Sequence, residues 1–443
     1  MGDGAKRKRM DTTAIYSVAI KSPLHSRVAD WLGLNRATLA VLVVIGFLGL
    51  SEEIWSNFLS LHLKREVSMA EPESAYVLAA LYMGVISSIK NLLEGFGYIV
   101  GGTLAHRMGP RVALAVSALP MTVGVTILLL TNNPHIIVLG AILMTNWEPL
   151  SVPATFDVVG SEVPKNRRTI AFAVQSIQKR VPKAIGPKLG AALFVAVGYW
   201  LNLVVALVCV ALAVIVQLTL MSRMRPKADP VQVPIREIMR TMPADLRRLL
   251  RAEIFIRWGD WFARDFAVLY ISFILTRRYG WGDDAATDAS GTLMAIMATT
   301  ALATYVPVAK WVDRSTSPKP FIGVTFLLFA LFPITLVLLP KAAAAAGLPV
   351  MLGLVLVFVL NGLREIGEPA RKALITTGFE PHVRARAVGV YWGLRSFAFF
   401  PAPIVAALLW SWIGPDNTFL IGGAIGLTGT ILFRVKRLKR TVA

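Results

Sequence analysis

Apolar runs long enough to cross a bilayer recur along nearly the whole chain, parted by short polar turns. A transmembrane helix needs about 20 mostly apolar residues to span roughly 30 Å of hydrocarbon. By that measure the sequence predicts spans at residues 37–62, 75–104, 110–131, 135–162, 169–196, 199–221, 254–276, 288–309, 320–340, 348–376, 387–412 and 417–433. The first run is too long for a signal peptide and reads as the first span. The expected fold is an all-α polytopic membrane protein, with twelve transmembrane helices in two pseudo-symmetric six-helix bundles. A soluble domain could not carry so apolar a sequence, 55% hydrophobic over 443 residues, because much of its surface must face water.

One polar stretch interrupts the rhythm. Residues 222–253 hold Pro226, Pro230, Pro234 and Pro243 with eight basic residues, the composition of a linker between two bundles. Within it Ile235, Ile238, Met239, Leu246, Leu249 and Leu250 recur at helical spacing among arginines, which predicts helices on the membrane surface. The organisation read from this pattern is a tail at 1–36, a bundle at 37–221, the linker at 222–253, a second bundle at 254–433 and a basic tail at 434–443.

The formal net charge of +20 would suggest nucleic acid in a soluble protein, but its placement argues otherwise. Thirty of the 46 Lys and Arg, counting Arg111 at a loop edge, fall in the tails and in alternate loops, against five in the opposite loops. The positive-inside rule then puts both termini in the cytoplasm. The basic excess is an orientation signal with some attraction to anionic lipid, and no nucleic-acid partner is expected.

The two halves resemble each other. Pro164-Lys165-Asn166-Arg167-Arg168 follows the fourth span, and Pro381-His382-Val383-Arg384-Ala385-Arg386 follows the tenth. Glu148-Pro149 and Glu368-Pro369 precede them in matching places. Between the second and third spans lies Gly102-Thr-Leu-Ala-His106-Arg107-Met-Gly109-Pro110-Arg111, and between the eighth and ninth lies Ala309-Lys310-Trp311-Val312-Asp313-Arg314. Duplication is the simplest account of such symmetry.

At these residues the chain resembles the major facilitator superfamily. The first loop is similar to its Gly-x-x-x-Asp-Arg-x-Gly-Arg-Arg signature, with His106 in the acidic position, and the Asp313-Arg314 turn to its second copy. Gly186-Pro187-Lys188-Leu189-Gly190-Ala191 resembles the Gly-Pro-x-x-Gly-Gly core of the superfamily's antiporters. The resemblance implies gating roles for Gly102, Arg107, Gly109, Arg111, Asp313, Arg314, Gly186 and Pro187. Glycines would let helices approach closely, and the charges could latch one half to the other.

Charge inside the spans carries the functional reading. An ionised side chain at mid-bilayer costs about 2.5–3.5 kcal/mol on insertion scales, so its presence implies an aqueous cavity, internal pairing or both. Lys179 and Arg180 in the fifth span and Arg395 in the eleventh lie at matching depth. They are candidates to hold an anionic group of a solute, or alternatively to pair with carboxylates on neighbouring spans. Tyr391, Asp260 and Arg264 are further candidate cavity residues. Glu52, Glu53, Glu94 and Asp157 are candidate proton-coupling carboxylates, with Lys90 able to pair with Glu94 at i,i+4. Arg257, Asp260 and Arg264, and likewise Arg364, Glu368 and Arg371, form stripes of alternating sign that can satisfy themselves within a helix. Glu368 and Arg371 are read as gating residues.

The five histidines lie in tails, loops or span ends, no phosphate-binding loop occurs, and no ligand-spaced metal cluster is present. The expectation is therefore a monomeric secondary transporter without cofactor, not an enzyme. It would move a small anionic or zwitterionic organic solute by alternating access, coupled to protons. A proton antiporter of multidrug or amphiphile type, and a non-transporting assembly factor or sensor, are the alternatives.

Overall fold

The computed structural model describes residues 36–108, 110–144, 180–220, 233–315, 317, 319–380 and 384–434. Among the described residues each apolar run becomes helix, because a backbone in hydrocarbon must satisfy its polar groups within its own segment. The first half contains α1 (Arg36–Ser56), α2 (Leu59–Ser68), α3 (Ala75–Met108), α4 (Pro110–Leu130), α5 (Pro134–Met144), α6 (Val181–Ala196) and α7 (Tyr199–Leu220). After α8 (Ile235–Thr241) the second half contains α9 (Ala244–Trp261), α10 (Ala267–Phe273), α11 (Asp283–Arg314), α12 (Lys319–Ala345) and α13 (Val350–Leu363). It closes with α14 (Glu368–Thr377), α15 (Arg384–Phe399), α16 (Ala402–Ile413) and α17 (Pro415–Arg434). Among the described residues, seven helical stretches are long and apolar enough to cross a membrane.

The helix ends remote from the turns at Gly198, Gly280, Gly347 and Gly414 are here called proximal. The turns on the opposite, distal face are tight. Gly198, Gly280, Gly347 and Gly414 have φ between +71° and +110°, a region a side chain disfavours, and each closes a reversal between helices.

Among the described residues, three predicted spans are broken rather than continuous. The first bends at Asn57–Phe58, where Asn57 Nδ2 donates to the Glu53 carbonyl at 2.8 Å. The seventh runs as α9, an irregular turn at 262–266, α10 and a π turn at Ile274–Arg278. The tenth passes through a 3₁₀ turn at Arg364–Gly367 before α14. Pro369 has no N–H to return to the preceding turn, and the Gly367 N–H is taken instead by Thr325 Oγ1 at 2.6 Å.

The halves meet along two seams. On one, α6 packs against α11; on the other, α3 packs against α15 and α16. Both need missing side chains. A Cβ on Gly291 would strike Ala191 and the Pro187 carbonyl, and one on Gly84 would strike Ala407. The linker helix α8 joins the second half: Ile238, Met242 and Leu246 are buried in one cluster with Phe326, Phe379 and Val390. The helix after it starts at Ala244, ten residues before the seventh span predicted from hydrophobicity, and runs unbroken through 253–254.

Candidate functional site

A chain of ion pairs runs through the second half where the seventh, tenth and eleventh spans meet. Arg364 Nη1 donates to Asp260 Oδ1 at 2.9 Å, and Arg257 Nη1 to Asp260 Oδ2 at 3.2 Å. Arg257 Nη2 lies 3.9 Å from Glu368 Oε1, and Arg371 Nη2 donates to Glu368 Oε2 at 2.7 Å. Arg371 Nη1 donates to Glu253 Oε1 at 2.7 Å, while Arg395 Nη1 stands 3.8 Å from the other Glu253 oxygen. Four guanidiniums thus alternate with three carboxylates. Asp260, Glu253 and Arg371 are at most 2% exposed, so each pair must repay its desolvation with close geometry. Arg257 and Arg364 also lie over the Phe329 ring at 4.5 and 4.6 Å.

A second cluster lies on the seam between the halves. Ser87 on α3 donates to Asp265 Oδ2 at 2.6 Å across the bundles. Lys90 Nζ is 3.5 Å from Glu52 Oε1 on α1, and electrostatically it also faces Asp265, Glu94 and Arg264. The Lys90–Glu52 ion pair joins two helices, in addition to the Glu94 that sequence spacing offered on its own helix. Arg264 lies over the Trp261 ring at 4.9 Å, 4.0 Å from Asp265, with its side chain 41% exposed. Asp260 and Glu365 of the second half and Glu94 of the first also act on it electrostatically.

The other predicted positions fall as follows. Arg180 Nη2 donates to Glu365 Oε2 at 3.1 Å, and its guanidinium sits 4.5 Å from the Tyr305 ring centre; both partners belong to the opposite half. Glu53 accepts from Asn57 at 3.0 Å, and Lys183 approaches it to 4.0 Å. Arg395 and Tyr391 are buried at 6% and 0%, with Trp392 stacked 4.0 Å from the Arg395 guanidinium. Gly186 abuts Glu53, and the Pro187 carbonyl abuts Gly291. Lys188, nearer the distal face, pairs with Asp288 at 2.5 Å. Gly102 and Arg107 lie on α3, Arg111 on α4, and Asp313 and Arg314 at the end of α11. Lys179, Asp157 and Gly109 lie outside the described residues.

Sequence reading missed Glu253, assigned to the polar linker. Its signal was helical phase. Leu246, Leu249, Glu253, Ile256 and Asp260 recur at three- and four-residue steps, and all are at most 1% exposed. The stripes in the seventh and tenth spans are satisfied partly within a helix, as their spacing suggested, and partly between helices, which no single-helix spacing can reveal.

Comparison with known proteins settles the architecture. The sequence profile of the Major Facilitator Superfamily matches residues 41–282 and 254–442, which is most of the chain. This protein belongs to the major facilitator superfamily. It is thus a multi-pass membrane transporter of that family's type. Among solved structures it is similar to the nucleoside transporter NupG, at 11% identity and a TM-score of 0.69, covering 90% of this chain and 100% of that one. A peptide transporter POT in complex with sulfate matches at 15% identity and a TM-score of 0.67, covering 90% and 93%. The human organic anion transporter MFSD10 matches at 14% and 0.59, covering 90% and 99%. At these identities the likeness is one of fold. No curated protein sequence matches this superfamily member.

Proposed function

We propose that this superfamily member is a secondary active transporter of a small anionic or zwitterionic organic solute, working by alternating access with proton coupling. The observation that carries the reading is the concentration of ionised groups where the halves meet. Arg180 reaches Glu365, Ser87 reaches Asp265, and Arg264 stands partly exposed between them. Hydrocarbon would expel such groups, and a rigid scaffold would have no need of them. An interface that opens and closes around solute and water keeps them hydrated in turn. The cations among them favour a solute bearing negative charge.

Glu53 and Glu52 are the proposed proton sites. Glu53 lies 4.0 Å from Lys183 and Glu52 3.5 Å from Lys90, so each carboxylate has beside it a cation that could turn to solute. The distal face would be the outer one, with both termini in the cytoplasm of a bacterial cell, and the monomer the working unit.

Purified protein in liposomes should show solute-dependent proton flux that Arg180→Ala or Glu53→Gln abolishes. Unchanged flux in both variants would reject these site assignments.

A further inference from the structure

A lysine on the outer surface of a membrane helix is costly unless something polar meets it. Lys188 shares a helical stripe of α6 with Ile185, Leu189 and Val195, which are 55%, 38% and 38% exposed. The opposite side of α6 is packed: Gly186 abuts Glu53, Gly190 abuts Ile54, and the Pro187 carbonyl abuts Gly291. Lys188 therefore points to the lipid side of the α6–α11 seam. Its ammonium donates to Asp288 Oδ1 at 2.5 Å and to Thr292 Oγ1 at 3.0 Å, both on α11 of the opposite half. About half of each charged side chain stays exposed, 47% and 50%. One ammonium donor and Asp288 Oδ2 are left without a partner among the described residues. From this pair runs a groove of about 320 Å³ lined by Lys188, Thr292, Ala295, Ile296, Thr299 and Thr300. Asp288 to Thr300 is twelve residues of α11, about 18 Å at 1.5 Å per residue. That is close to one leaflet, half of the roughly 30 Å hydrocarbon layer. Thr292 and Thr300 turn their hydroxyls back to the carbonyls of Asp288 and Ile296, at 2.9 and 2.8 Å, so the groove wall is mainly carbon.

We propose that this groove binds a phospholipid of the distal leaflet whose headgroup carries both a phosphate and a primary ammonium. The phosphate accepts from Lys188, the ammonium donates to Asp288 Oδ2, and an acyl chain lies along Ala295, Ile296 and Thr299. The Lys188–Asp288 pair has no net charge, so a lipid bearing only a phosphate would set Asp288 against a second anion. A trimethylated ammonium would offer Asp288 no N–H. Lys188 belongs to the first half and Asp288 to the second, so the bound lipid braces the seam in the arrangement seen here. The site does not depend on the solute or the coupling proposed above.

The test uses the full chain in mild detergent with phosphatidylethanolamine, phosphatidylcholine or phosphatidylglycerol added, all with the same dioleoyl chains. Native mass spectrometry reads lipid retention, and thermal unfolding reads stability. Phosphatidylethanolamine should be retained at about tenfold lower concentration than the other two, the gain from one charge-assisted hydrogen bond, and should raise the melting temperature most. Asp288→Asn should erase its advantage over phosphatidylcholine. Ala295→Trp, which fills the groove and leaves both charges in place, should release the tightly held lipid. Equal retention of the three lipids by the parent chain overturns the proposal without recourse to any variant. A preference for phosphatidylethanolamine that survives undiminished in either variant overturns it too. So does a dimer that Ala295→Trp dissociates with no lipid retained, since the groove would then be a contact between copies of this chain.

Discussion

Glu253 offers the sharpest test of the ion-pair chain. Glu253→Gln removes one negative charge while nearly conserving volume and leaving an oxygen for Arg371. At the observed 2.7 Å the pair's attraction is ~6 kcal/mol for an effective dielectric constant near 20. Much of that offsets desolvation of two groups that are 3% and 1% exposed. Deleting one partner should still cost about 3 kcal/mol, because Arg371 and Arg395 would both face a neutral amide. The measurement is reversible unfolding in mixed micelles as the denaturing detergent fraction rises. Arg371→Gln and the double variant complete a thermodynamic cycle. The double variant should lose clearly less than the sum of the two single losses. A loss under about 1 kcal/mol for Glu253→Gln, or strict additivity in the cycle, would refute the claim that these buried charges depend on one another.

Other expectations follow from the seams. Asp265→Asn weakens the Ser87 contact at 2.6 Å from a charged to a neutral hydrogen bond. It should shift the balance between open and closed forms by about tenfold, read as altered accessibility of a single cysteine placed at Ala295, in the cleft it shares with Lys188 and Thr292, in a Cys209→Ser background. Gly291→Val forces a branched side chain into Ala191 and Pro187. It should keep the protein folded, at a cost of about 1–3 kcal/mol, yet abolish liposome flux; normal turnover would deny that the α6–α11 seam must close. Lys64 and Asp283 pair across the distal face at 2.9 Å with the aspartate two-thirds exposed. Lys64→Ala should therefore change stability by less than about 1 kcal/mol. Joining cysteines at positions 64 and 283 with a short cross-linker should arrest transport until the link is cut, and continued flux would count against distal opening.

The apolar pattern made the helices legible because a bilayer imposes one length and one periodicity on anything that crosses it. One seam was partly legible too, through Gly186-Pro187, where the Pro187 carbonyl abuts Gly291. Broken spans were harder to see. A hydropathy window averages over Asn57, residues 262–266 and Arg364–Gly367 alike, because the apolar residues on either side outweigh the few polar ones at each break. The partners of charged residues were least legible. Arg371 reads naturally with Glu368 three residues before it, and that pair is present at 2.7 Å. Its second partner, Glu253, lies 118 positions away, and only tertiary packing of α9 against the tenth span brings the two together. Glu253 was also hidden by its surroundings, because Arg247, Arg248 and Arg251 just before it make the segment look like surface.

The tenth span is stapled to the seventh on both sides of its own break. Arg364, where the 3₁₀ turn begins, holds Asp260, and Arg371, one helical turn beyond its end, holds Glu253. Two fastenings seven residues apart on each strand of the joint forbid it to swivel, so α9 and the tenth span travel as a single spar. The slack in the seventh span must then reside past Trp261, where the backbone leaves helical order before α10. Motion that admits solute from the distal side would bend there, leaving the proximal framework of this half undisturbed.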